Sequence, residues 1–127
     1  MKQTLISALC VFLAVAAICI SSLCFIYSTA DAAETLRMQS LERADADDED
    51  GAKEYLMKLA GLWRQSKPLF EIMVDHSTIH DVASHITDAR ISLERGFLDD
   101  YYKAMALMGE AIEHIRSHEG LSWSNLL

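Results

Sequence analysis

The sequence predicts an all-α protein, an N-terminal transmembrane helix followed by a small antiparallel helical bundle. Three observations carry that expectation. The first 30 residues hold a single charge, Lys2, and a long apolar run. Beyond them apolar residues recur at alternating spacings of three and four, which places them on one face of a helix. With one Pro and five Gly in 127 residues, there is little to interrupt helices, and the length allows one domain at most.

The apolar run from Leu5 to Tyr27 is 23 residues without a charge. As a helix it is roughly 34 Å long at about 1.5 Å per residue, enough to cross a bilayer core with some tilt. Lys2 precedes it, and Asp31 and Glu34 follow it, so the charge bias favours a cytoplasmic N-terminus and an outside C-terminal domain. Residues 1–30 are read as a membrane anchor and 31–127 as an extracytoplasmic bundle. The alternative is a signal peptide, because Ala30-Asp31-Ala32 suits cleavage before Ala33 and would leave a secreted protein. The run is longer than the roughly 7–15 residues of a signal h-region, which favours the anchor. Leu9, Ile18 and Leu23 precede the three cysteines, where lipid attachment would want a small residue. All three cysteines lie within the apolar run, so the exported part must hold together by packing rather than by disulfides.

Three strong stripes follow. They are Ala52, Leu56, Leu59, Trp63, Ser66, Phe70 and Met73; then Ile79, Val82, Ile86, Ala89 and Leu93; then Tyr101, Met105, Met108, Ile112 and Ile115. A weaker one, Ala33, Leu36, Ser40 and Ala44 with Leu41 beside it, suggests that the anchor continues outward as a stalk. The breaks are the charged DADDEDG of Asp45 to Gly51, the region of Asp75 to Ser77, and Arg95-Gly96, a cation followed by the residue that best ends a helix. Ser77 or Asp75 is placed to cap the third helix, and Thr78 with Asp81 resembles a capping box. The stripe keeps phase through Pro68, which predicts a kink rather than a stop. Short connections make neighbouring helices antiparallel, and one-sided stripes must bury against one another.

All 19 Asp and Glu lie beyond the apolar run, with ten of the eleven Lys and Arg. Nucleic acid and anionic lipid headgroups are therefore poor partners on net charge, for they need basic patches. Cationic partners and metal ions fit the balance better.

Over nearly its whole length the chain resembles the domain of unknown function 4363 family, short single-pass envelope proteins of bacteria. The resemblance is carried by the apolar N-terminus after MK, Trp63, FEIMVDHSTI with Phe70, Asp75, His76 and Ile79, EHI at Glu113 to Ile115, and the closing LSWSNLL with Asn125. It implies an anchored, largely helical extracytoplasmic protein and brings no activity or catalytic residue with it. The acidity of DADDEDG departs from the family pattern, so no role is carried onto that loop.

Candidate chemistry is sparse. In DADDEDG the acids alternate as calcium-loop ligands do, but from Asp45 the turn Gly falls on Asp50 and the bidentate Glu on Leu56, so a solvated acidic turn is expected. Histidine offers more. His76 with His80, and His114 with His118, are each one helical turn apart, so both imidazoles of a pair can reach one ion. Folding the last two helices about Gly96 brings the pairs to one height, with Asp75, Asp81, Glu113 and Glu119 near enough to assist. Zinc is the candidate ion. His85 lies on the far side of its helix from His76 and is not counted. The competing expectation is that these histidines are structural or pH-sensitive, with His76 facing the bundle and His80 at its edge. No serine or cysteine has a recognisable nucleophile setting. The tail is apolar, and Trp123, Leu126 and Leu127 are expected to fold back or to bind a protein partner.

The expected function is thus a non-enzymatic interaction or scaffold protein of the cell envelope. A metal-binding or pH-sensing exported domain is the alternative.

Overall fold

The computed structural model describes the backbone over residues 1–126 and the side chains over residues 1–117. All of the regular structure described is helical: α1 (Lys2–Asp45), α2 (Glu49–Met73), α3 (His76–Glu94) and α4 (Leu98–Leu126). Successive helices pack on each other and α1 also packs on α4, so among the described residues each helix touches two neighbours in a ring.

The three strong stripes become the core. Every residue of the second and third stripes is buried, and in the first all but Met73 are, that residue being half-buried against the core. Trp63 is 4% exposed and stacks on Phe70 with ring centroids 4.9 Å apart. The two rings lie seven residues apart, about two turns, on the same face of α2. That helix runs through Pro68 without a break.

The weak stripe departs from its expectation. α1 does not leave the apolar segment as a free stalk; it supplies a full wall of the bundle. Ile26, Thr29, Ala30, Ala33, Ser40 and Ala44 are buried, and Leu36 and Leu41 pack against the core from its edge. Small side chains on this face let α1 approach its neighbours closely. Arg37 occupies the same face. Its guanidinium donates to both oxygens of Glu34, at 2.8 and 2.5 Å, and to the Met105 carbonyl at 3.1 Å. It lies over Gly109 of α4, where any Cβ would collide with it.

Polar contacts then fix the height of α1 against α4. Ser40 is buried and donates to the Ala52 carbonyl at 2.9 Å. Its one proton is used there, so the Tyr101 hydroxyl, 2.6 Å away, donates to Ser40 Oγ. One hydroxyl pair thereby joins α1, α2 and α4. Burial raises the Tyr101 pKa. Near the turn, Tyr102 donates to Asp45 at 2.6 Å, and that carboxylate pushes the phenol up to about 12. At the other end Arg116 meets Asp31 at 3.0 Å.

Two helix ends use the same device. After α1, the Asp48 amide donates to Arg43 O at 2.8 Å and the Asp47 amide to Ala44 O at 3.1 Å, with Asp47 at φ 60°. After α3, the Phe97 amide donates to Ser92 O at 2.8 Å and the Gly96 amide to Leu93 O at 3.3 Å, with Gly96 at φ 77°. Both are Schellman caps, which satisfy the last carbonyls through one left-handed residue. The acidic break is therefore shorter than its charge suggests. Asp48 caps α2 by accepting the Gly51 amide at 2.9 Å, and Glu49 and Asp50 already lie in the first turn, where a negative charge is favoured.

The Ser40 node yields a test. Ser40→Ala leaves the Tyr101 hydroxyl buried without a partner and is expected to cost about 1–3 kcal/mol, whereas Tyr101→Phe removes the donor itself and should cost about 1 kcal/mol. Denaturant unfolding of the two variants measures the order. A Ser40→Ala loss within roughly 0.5 kcal/mol, the surface range, would show that the node contributes nothing.

Candidate functional site

The histidine-bearing region begins where α3 does. Val74 is extended, with ψ 152°, and Asp75 occupies the N-cap position at ψ 131°, so the chain turns within two residues. The Ser77 hydroxyl donates to Asp75 Oδ2 at 2.7 Å. This start places Thr78 and Ile79, not His76, on the buried face. Asp75 stands at the N-cap position without a side-chain cap hydrogen bond, and Thr78 of the expected capping box lies buried within the first turn.

A groove of about 370 Å³ runs between the first turns of α3 and the last described turns of α4. Asp75, Ser77, Asp81 and His85 line it from one side and Glu110 and His114 from the other. It shares His85 and Leu107 with a second hollow of about 380 Å³ that continues toward the α3–α4 turn past Asp88, Asp100 and Lys103. The pair of hollows forms one long, acidic, open trough.

This arrangement sorts the histidines differently from their spacing. His76 and His80 are exposed and neither lines the groove, so His76 does not face the bundle as expected. His85, set aside on the helical wheel, is half-buried and lies in the same groove as His114. His114 is exposed on its helix and near enough to Asp75 to help hold that carboxyl down. Among the described residues, no three His, Cys, Asp or Glu side chains are placed to share a metal ion. The side chain of His118, the fourth proposed ligand, lies outside the described residues, as do those of Trp123, Leu126 and Leu127 of the tail. Spacing alone could not have selected His85. The signal was there in another form, for it lies one before Ile86 of the buried stripe, at the flank that turns toward α4.

The electrostatics of the groove centre on Asp75. Its carboxyl is held below the usual 3.8, first by the Ser77 hydroxyl and then by the Ser77 amide, with the nearby His76 and His114 adding smaller contributions. Chemically the trough can hold a proton, a cation or a basic side chain. It offers carboxylates and imidazoles on facing helices, with the Ser77 hydroxyl bonded to Asp75 among them.

No family model, no curated protein and no solved structure matches the chain.

Asp75 gives the pH prediction. A carboxyl whose folded pKa lies below its unfolded one stabilises the fold above about pH 3.8, and that contribution drains away as pH falls through the folded value. Ser77→Ala should move the Asp75 titration up toward 3.8, and His114→Ala should move it the same way by less. Carboxyl-carbon NMR titration reads both. An Asp75 midpoint unmoved by Ser77→Ala would contradict the assignment of its cause.

Proposed function

We propose that the chain is a single-pass membrane protein whose α1 crosses the bilayer and whose outer part is an antiparallel four-helix bundle that acts through protein contacts rather than catalysis. The observation that carries this reading lies in α1. Its most apolar 18-residue stretch is only 6% buried, and Leu5, Ile6, Leu9, Val11, Phe12 and Ile18 are all exposed. An apolar surface of that length is tolerated in lipid and not in water. A helix meets the requirement of the bilayer core because it satisfies its own amides and carbonyls.

Burial also weighs against removal of the segment as a signal peptide. Cleavage before Ala33 would take away Ile26, Thr29 and Ala30, which are buried in the bundle, and Asp31, which pairs with Arg116. Support for the antiparallel arrangement comes from contacts whose residue numbers run in opposite senses along α1 and α4. Asp45 meets Tyr102, Arg37 meets the Met105 carbonyl, and Asp31 meets Arg116. The orientation, with the bundle outside, is supported by Lys2 before the span and the acids after it.

For a partner surface, the far tip of the bundle is the better supported. Phe97 is 55% exposed and Leu98 36%, set beside Asp99 and Asp100, which suits a partner with apolar and basic side chains together. The resemblance to the envelope family adds the same expectation of an anchored helical protein, on the strength of the residues quoted for it alone. A second reading, a pH-sensing or metal-binding exported domain, has in its favour the closeness of His114 to Asp75.

The test is the fate of the N-terminus in the native host. Intact mass of the protein recovered from washed membranes should correspond to a chain that still carries the Leu5–Tyr27 segment. A soluble species beginning at Ala33 would overturn the anchor.

A further inference from the structure

The chain is acidic overall, with 19 Asp and Glu against 11 Lys and Arg, yet one face gathers cations. A groove of about 220 Å³ between α2 and α3 is lined by Arg64, Lys67 and Arg90 around Trp63, Ala83 and Ile86. Elsewhere Arg37, Arg43, Lys58 and Arg116 are each answered by a carboxylate. In this groove Lys67 alone has such a neighbour, Glu71 at 3.7 Å. Arg64 and Arg90 make no ion pair among the described residues, and Arg90 is half-buried. A guanidinium partly removed from water gains most from a bidentate oxyanion, and two of them facing one hollow can hold the same group. The wall carries a further unmet donor, for the indole N–H of Trp63 is buried without a hydrogen-bond partner.

We propose that this groove is a binding site for a phosphate-bearing amphiphile, with Arg64, Arg90 and Lys67 holding the phosphate and Trp63, Ala83 and Ile86 the adjoining alkyl chain. The apolar floor beside a cationic rim distinguishes such a ligand from a bare anion, which would need only the rim. Net acidity does not oppose it, because the field at the groove is set by the nearest charges within a Debye length of roughly 10 Å. Height favours a lipid as the source. The Ser40–Ala52 contact sets Arg64 and Lys67 level with the turn of α1 that contains Phe25 to Ser28, at the outer end of the apolar segment. Below that turn α1 is apolar and mostly unburied from Leu5 to Cys24, roughly 30 Å of helix, the thickness of the hydrocarbon core. Arg64 and Lys67 then stand at the outer edge of the headgroup layer, within reach of long side chains. Phosphate recognition by the groove is independent of the anchor, whereas a membrane lipid as its source rests on the proposed insertion of α1.

The experiment uses the full chain carrying Trp123→Phe, so that Trp63 is the one tryptophan and reports on the groove by fluorescence. The protein is held in an uncharged detergent and titrated with inorganic phosphate and with a short-chain phosphatidylglycerol, then placed in nanodiscs of phosphatidylcholine with and without phosphatidylglycerol. A saturable change with the short-chain lipid at lower concentration than with phosphate, weakened at least about tenfold by Arg64→Gln with Arg90→Gln and unaltered by Arg95→Gln, is the expected result. A matching change between the two nanodiscs identifies the membrane as the source, and its absence there with binding in detergent identifies a free ligand. No saturable change with either probe in detergent, or a change equally strong in the double variant, would overturn the site whatever the fate of α1.

Discussion

One helix carries two different surfaces along its length. Over its first half α1 is apolar on every side and unburied; over its second half it is a wall of the bundle with a single buried face. No turn, Gly or Pro separates the halves. The direction of the apolar segment therefore fixes the direction of the bundle axis. The ring of helices depends on that shared element, since α1 touches α2 along one side and α4 along the other.

The face that α1 gives to the bundle explains how this is achieved. Its buried residues are Ala, Ser and Thr with a single Ile, so it contributes little apolar area of its own and gains most from close approach. Close approach brings backbone and hydroxyl groups within reach, and Ser40, Tyr101 and the Ala52 carbonyl meet there. Arg37 is tolerated on the same face because Glu34, the Met105 carbonyl and the missing side chain of Gly109 accommodate it. A buried polar junction of this kind adds little net energy when satisfied and costs much when one member is lost, so its chief effect is to select one register of α1 against α4.

The same chemistry decided what could be read from the sequence. The cores of α2, α3 and α4 were legible residue by residue, because Leu56, Trp63, Phe70, Val82, Leu93 and Met108 are large apolar side chains at helical spacing. The outer half of α1 was not, since the weak stripe of Ala33, Leu36, Ser40 and Ala44 resembles that of a solvated stalk. The breaks were legible at Gly96, whose left-handed conformation has a clear residue preference, and were blurred at Asp47, which adopts the same conformation without being Gly. In the histidine region the Ile79 stripe was read on its true face, and the misplaced residue was His76, which is the first residue of α3 and is exposed there instead of continuing the stripe. The trough that holds Asp75, His85 and His114 depends on the packing of α3 against α4, which no local pattern records. The basic groove was hidden for a like reason, since Arg64 and Lys67 lie 23 or more positions from Arg90 and only the pairing of α2 with α3 brings them together.

The central claim is that the end of the apolar segment is part of the folded bundle. Urea unfolding of two chains shortened from the N-terminus, one beginning at Phe25 and the other at Ala33, tests it directly. The longer chain keeps Ile26, Thr29, Ala30 and Asp31; the shorter lacks them and exposes the surface they cover. The account predicts that the shorter chain is less stable by roughly 3 kcal/mol or fails to fold, in line with the loss of one large and two small buried side chains. Equal midpoints and equal slopes for the two chains would contradict it, and would make α1 up to Ala33 an appendage rather than a wall.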